Sequence, residues 1–344
     1  MDYGVMLPGG SHTIDEGIQI ARMAEQRGFA SAYCVEAYRG ALVPLAAVAM
    51  GTDRIRIGPY ILNAWGRSPW LTTLAAIDLD ELSGGRLVLC VGPGNKHLNE
   101  DSQGLEFHRP APRMEEFIGL VRQMTRRSPS DPPLSFDGEF LSLHNWSPQI
   151  EPVRGAVPVY GAAIGPAMRR AVGRAADGVA LGTLLSPEYL AGSIRPDVLG
   201  AARQAGRDPV DIGWVMAYFV SCDDDRATAR AAARRAVAGL YAPLPHPYYD
   251  FLLREQGFGT VADDLAELVP AGRLDAAHEA ITDDLLDALT ASGTPEECRI
   301  ALARFEGMVD EVVMVNVRGP VDPSGSDGLS PEVSSYARML DILG

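Results

Sequence analysis

The sequence is short of cysteine, of cations and of long apolar runs, and each shortage closes a class of function. Its 344 residues hold four cysteines, Cys34, Cys90, Cys222 and Cys298, with no CxxC pair among them and no histidine at ligand spacing. A disulfide framework or a zinc centre needs clustered thiols, so neither is expected and no metal site is assigned. Cys34 and Cys90 fall inside apolar, strand-like runs, where a thiol packs as a small hydrophobe. Lys and Arg number 30 against 45 Asp and Glu, a formal net charge of −15. Nucleic acid and anionic lipid are held by clustered cations, so neither is an expected partner. No run approaches eighteen apolar residues, and residues 1–10 lack a basic segment ahead of a long apolar one. A membrane span and a signal peptide are therefore not expected, and the expected location is the cytoplasm. The GxGxxG and Walker fingerprints for phosphate are missing as well.

What is present is a large apolar content, 47% against 22% charged, which fits a globular chain with a sizeable core. Short β-rich runs that end in Gly, Pro or polar residues alternate with stretches of helical period. The spacing predicts strands over 3–7, 30–35, 55–62, 86–92, 157–162, 178–181, 212–221 and 311–316. It predicts helices over 14–27, 43–50, 70–82, 113–126, 166–175, 187–205, 226–240 and 332–343. Thr13 and Glu16 fit a capping box at the first of these. Eight strand–helix units argue for a parallel sheet. At this length a closed (β/α)8 TIM barrel in one domain over 1–344 is the expected α/β architecture, with an open doubly wound sheet as the alternative. Two insertions interrupt the rhythm. Residues 128–153 carry turn signals around a short apolar run and read as a hairpin. Residues 241–295 open on YAPLPHPYYDF and continue with helical patterns over 262–268 and 274–289; such a segment would serve as a lid, a pocket wall or a packing surface.

In a parallel barrel the functional face lies at the carboxyl ends of the strands. Small residues dominate the positions this selects: Gly92, Gly94, Ala162, Ala163, Gly165 and Gly182. They would let a large flat ligand approach the backbone, although each glycine also suits a tight turn. Gly165 precedes Pro166 at a strand-to-helix junction, so the amides of Ala167 and Met168 would be free to meet an anion. Gly182 and Thr183 would add an amide and a hydroxyl. Glu36, with Tyr38 and Arg39 behind it, follows the second strand as a proton donor, an anchor or a plain surface group. His12, His97 and His108 also fall near this face.

Four ordered segments match a known family: NAWGRSP (63–69), LDELSGGRLVLCVGPG (79–94), VYGAAIGP (159–166) and AADGVALG (175–182). The chain resembles the bacterial-luciferase-like monooxygenase superfamily, and most nearly its F420-dependent reductase and dehydrogenase branch. The resemblance implies a TIM barrel whose cofactor, coenzyme F420 or alternatively FMN, lies across the mouth near Asn63, Gly92, Gly94, Ala162 and Ala163. The cofactor phosphate would meet Gly165–Met168 and Gly182–Thr183. It also implies a non-prolyl cis peptide near Tyr60–Ile61, pressed against the cofactor's middle ring. The family's acid–histidine pair after the second strand appears here as Glu36, Ala37, Tyr38, and Pro93 stands at a position that is usually not proline. The expected activity is hydride transfer between the deazaflavin C5 and a small organic substrate, with Glu36 handling the proton and Tyr38 and Asn63 orienting substrate or ring. Two alternatives remain: an FMNH2-dependent monooxygenase and a non-catalytic accessory protein. Homodimers are frequent in the family, so a homodimer is expected.

Overall fold

Strand residues that alternate between two apolar surroundings define this molecule. In the computed structural model, which describes residues 1–10, 12–37, 39–242, 246–318 and 333–343, the first strand is Asp2–Leu7. Val5 and Leu7 join the large core between strands and helices, whereas Met6 joins a smaller cluster inside the barrel with Tyr33, Tyr60, Cys90, Ala180 and Ala217. This period of two is the signature of a strand buried on both faces.

The barrel strands that follow are Ser31–Cys34, Arg56–Pro59 with Leu62–Asn63, Leu89–Gly92, Val159–Ala162, Gly178–Leu181, Gly213–Cys222 and Glu311–Asn316. Neighbours pair in parallel throughout. The path of paired strands starts at Arg56–Pro59 and ends at Leu62–Asn63. These are consecutive pieces of the third strand, so the sheet returns on itself; a bridge between Ile57 and Leu87 joins the seam. The open-sheet alternative is thereby removed. Leu7, Cys34 and Pro59 are register partners, which brings the carboxyl ends of the first three strands to one level.

The expected third strand over 55–62 is interrupted, because the peptide between Tyr60 and Ile61 is cis. The first helix, Ile14–Gln26, carries the expected capping box. The Glu16 amide donates to Thr13 Oγ1 at 3.2 Å and the Thr13 amide to Glu16 Oε2 at 2.7 Å, an arrangement that stabilises by about 1 kcal/mol. The helix expected over 187–205 holds a π-helical turn, Leu190–Ile194. The last helix begins at Val333; residue 332, its expected start, lies outside the described residues. The four cysteines are free and buried, and no described helix is long and apolar enough to cross a membrane.

The hairpin expected within 128–153 is present as antiparallel strands Leu134–Asp137 and Ser142–Trp146. It packs through Leu134 and Trp146 on Leu120 and Met124 of the helix Pro110–Met124. The stretch 241–295 forms four helices, Pro247–Glu255, Gly259–Leu268, Leu274–Ala280 and Asp283–Leu289. One helix over 274–289 was expected; the chain instead turns extended at Ile281 and restarts behind Thr282, whose side chain caps the next helix. A strand, Ala291–Gly293, and a helix, Pro295–Ala303, were not foreseen.

Candidate active site

A cavity of about 610 Å³ opens at the carboxyl ends of the strands, within the size range of small-molecule sites. Its floor is the inward-facing residues Met6, Ala180 and Ala217. The two alanines, Ala180 and Ala217, leave room above them in the upper barrel. Tyr60 and Ile61 form one wall through their cis peptide. The Tyr60 hydroxyl donates to Leu181 O at 2.6 Å, with Val215 O at 3.1 Å, and burial holds the phenol well above its usual range. Tyr60 is therefore a fixed, neutral wall element.

Glu36 leaves the second strand into the same cavity. Its Oε2 accepts the Asn63 amide at 2.7 Å and its Oε1 accepts Arg67 Nη2 at 2.7 Å. The carboxylate is 14% exposed and Arg67 34%. Both oxygens already accept, so the third-strand loop holds the carboxylate in one orientation.

At the opposite side lies an end built for an anion. The helix Pro166–Ala175 starts after Gly165, which supplies no side-chain cap. A Cβ at Gly165 would meet no atom within 4 Å. The first-turn amides of Ala167 and Met168 have no acceptor within the helix. Thr183 Oγ1 is buried and has no hydrogen-bond partner; the Tyr249 phenol approaches it without completing one. Gly165, Pro166, Ala167, Met168, Gly182 and Thr183 all line the cavity. A buried hydroxyl without a partner costs about 1–3 kcal/mol. Beside free helix amides it suits a phosphate oxygen.

The insertion supplies the roof. Leu240, His246, Tyr248 and Tyr249 line the cavity, and the Tyr248 hydroxyl donates to Gly94 O at 3.3 Å. Asn95 fixes the His246 tautomer. Its Oδ1 accepts the Leu98 amide at 2.7 Å, so its Nδ2 faces His246 Nε2 at 3.3 Å and donates to it. Nε2 is then the unprotonated nitrogen and Nδ1 carries the hydrogen. Nδ1 is buried without a partner, and burial lowers the pKa of the ring. Burial and the Asn95 donor both favour the neutral ring.

Of the residues singled out in the sequence, Glu36, Tyr60, Ile61, Gly94, Ala162 and the six at the anion end line the cavity. Asn63, Gly92 and Ala163 do not. The Asn63 amide side chain is spent on two loops: Nδ2 donates to Asn99 Oδ1 after the fourth strand at 3.0 Å, and Oδ1 accepts the Trp65 amide in its own loop at 2.9 Å. Gly92 faces inward, but its space is filled by Ala162 and Ile61, which a Cβ would approach to 2.9 and 3.0 Å. Ala163 alternates outward into the core. Tyr38 lies outside the described residues. His12 is buried beside Tyr336, while His97 pairs with Asp101 and His108 faces Glu106; none of the three lines the cavity. His246, Tyr248 and Tyr249 were missed as site residues. Their signal was the cluster of rings and prolines in the insertion.

A closed parallel barrel with a cavity at the strand ends defines the class by its fold: an α/β barrel with a small-molecule site. The family described as luciferase-like monooxygenase matches residues 1–311, and the chain belongs to that family. It is 28% identical over 309 residues to the 5,10-methylenetetrahydromethanopterin reductase of Methanolobus tindarius, covering 88% of this chain and 90% of the relative. The enzyme of the same name from Archaeoglobus fulgidus is 29% identical over 280 residues, covering 80% and 81%. Among solved structures, the coenzyme F420-dependent tetrahydromethanopterin reductase of Methanopyrus kandleri superposes with a TM-score of 0.79 at 23% identity, covering 99% of each chain. An F420-dependent secondary alcohol dehydrogenase bound to an F420–acetone adduct gives 0.76 at 19% identity, covering 99% and 98%. These two likenesses bear on the fold.

Proposed function

We propose that this protein is an F420-dependent oxidoreductase that transfers a hydride between the deazaflavin C5 and a small organic substrate. The observation that carries the reading is a cavity at the carboxyl ends of the strands with free helix amides and an unpartnered hydroxyl at one end. Gly165, the amides of Ala167 and Met168, and the unpartnered Thr183 hydroxyl fit a cofactor phosphate. The two sequence relatives named above, each a 5,10-methylenetetrahydromethanopterin reductase, support the same reading.

Bound there, F420 supplies a two-electron carrier at C5. The chain's own residues do the rest. Tyr60 and Ile61 support the ring, and the roof at Leu240 and His246–Tyr249 limits water above it. Glu36, oriented by Arg67 and by the Asn63 amide, gives or takes the substrate proton. Asn63 thus contributes through its backbone rather than through its side chain.

Titration of the purified protein with F420 and with FMNH2, followed by fluorescence, tests the reading. Micromolar or tighter F420 binding is expected; tight FMNH2 binding with no F420 affinity would overturn it. A second reading, an FMNH2-dependent monooxygenase, draws on one structural likeness. The FMN-bound 3,6-diketocamphane monooxygenase of Pseudomonas putida superposes with a TM-score of 0.66 at 16% identity. Turnover without oxygen removes that reading.

A further inference from the structure

We propose that the substrate of this site is an uncharged, predominantly apolar organic compound, because the cavity offers one position for an anion and the cofactor tail takes it. The inference rests on the F420 reading only for that last clause. The wall away from the anion end, on the first, second, seventh and eighth strands, is Met6, Val35, Ala37, Phe219 and Val315. Among the described residues no arginine or lysine lines the cavity.

The cations that follow the strand ends are already bound. Arg39 donates to the His12 carbonyl at 2.6 Å, Arg67 holds Glu36 at 2.7 Å, Lys96 pairs with Glu100 at 3.5 Å, and Arg318 pairs with Asp223. The residues outside the described set, Ser11, Tyr38, 243–245, 319–332 and Gly344, include neither arginine nor lysine. His246 is a poor source of positive charge, since burial lowers its pKa and, among the described residues, the side chain that faces its ring is the amide of Asn95 rather than a carboxylate.

A carboxylate or phosphate carried by the substrate would therefore leave water without gaining a partner, which costs several kcal/mol. It would also meet Glu36, the one carboxylate on the wall among the described residues. The net charge of −15 adds a repulsive field at longer range. A neutral ketone, aldehyde or alcohol meets none of these costs and gains from the apolar wall.

The test uses matched pairs of aldehydes, ketones and alcohols, each with a carboxylated and a phosphorylated counterpart. Binding is measured by calorimetry on the full chain, without cofactor and saturated with F420. With F420 bound, neutral members are expected to bind at least about thirtyfold more tightly than their anionic counterparts, whereas without it the phosphorylated members are expected to gain binding at the open anion end. Ala37 is exposed and lines the cavity, so Ala37→Arg is expected to fold and to narrow that ratio by roughly tenfold, while F420 affinity at the far end stays unchanged. An anionic member that binds the F420-saturated protein within about threefold of its neutral partner overturns the proposal. So does a panel in which no neutral member binds at millimolar concentration. Loss of the cofactor reading looks different: F420 itself fails to bind the protein.

Discussion

The two ends of this barrel treat polar groups in opposite ways. At the amino ends of the strands Glu311 is buried, and each of its oxygens is engaged. Oε1 accepts from Ser31 Oγ, and Oε2 accepts from Arg56 at 2.9 Å. Arg56 reaches on to Asp2 at 3.0 Å. The fit is close enough that a Cβ at Gly4 would press on Ser31 and Glu311. At the carboxyl ends Thr183 Oγ1 and His246 Nδ1 are buried with no partner, and the helix at Gly165 starts without a side-chain cap. Arg56 Nε at the amino end is also buried without a partner, but there the carboxylate is fully engaged, whereas Thr183 and His246 at the open end line a cavity in which a ligand can complete them.

The sharpest way to break this contrast is Gly165→Asp. A side chain there has open space, and an aspartate at the N-cap strengthens the helix by about 1 kcal/mol. It also places a negative charge where the phosphate is proposed to bind. Thermal unfolding is expected to shift upward while F420 affinity falls roughly a hundredfold. Unchanged affinity would remove the anion role of that end.

Glu311→Ala probes the other end. It leaves Ser31 and Arg56 without their shared acceptor. Because Arg56 is 42% exposed, the loss should be about 2 kcal/mol in urea unfolding rather than the full cost of a buried pair. F420 affinity should stay within about twofold.

Thr183→Val exchanges an orphaned hydroxyl for a methyl of similar shape. Unfolding stability should hold or rise slightly, and F420 affinity should fall about fivefold, near 1 kcal/mol. A loss of stability instead would show that the hydroxyl is satisfied within the chain.

The smallest effect is in pH dependence. Burial raises the Glu311 pKa above 4.5 despite the Arg56 charge. The folded state then holds the proton more tightly than the unfolded chain. The resulting stability is fully present below the unfolded carboxylate value and is lost as pH rises through the folded one. Compared with wild type, Glu311→Gln should therefore gain relative stability as pH rises from about 4 toward neutrality. A flat difference across that range would contradict the burial argument.

Much of the fold was legible because strands buried on both faces are continuous apolar runs, and eight of them alternated with helical patterns. The helix Pro166–Ala175 and the strand Gly178–Leu181 fell at their expected bounds because Pro166 and the Asp177–Gly178 turn punctuate them. Ala291–Gly293 was not legible, since three residues show no period. The helix Pro295–Ala303 was announced by Thr294 and Glu297, a capping box that the structure contains and that went unread inside a mixed region. At the site, chain position could mark the strand ends but not which residues turn inward. Gly92 does face inward, yet Ile61 and Ala162 fill the space beside it, and Ala163 faces the core. The pairing of Glu36 with Arg67 and the docking of His246 on Asn95 join residues 31 and 151 positions apart. No local pattern carries contacts of that range.

The most direct measurement is hydrogen–deuterium exchange at the amides of Ala167 and Met168, with and without F420. If these donors complete their hydrogen bonds on the cofactor, both amides should slow strongly when F420 binds, while the Glu311 end exchanges as before. F420 binding that leaves both amides exchanging at their free rates would contradict the account.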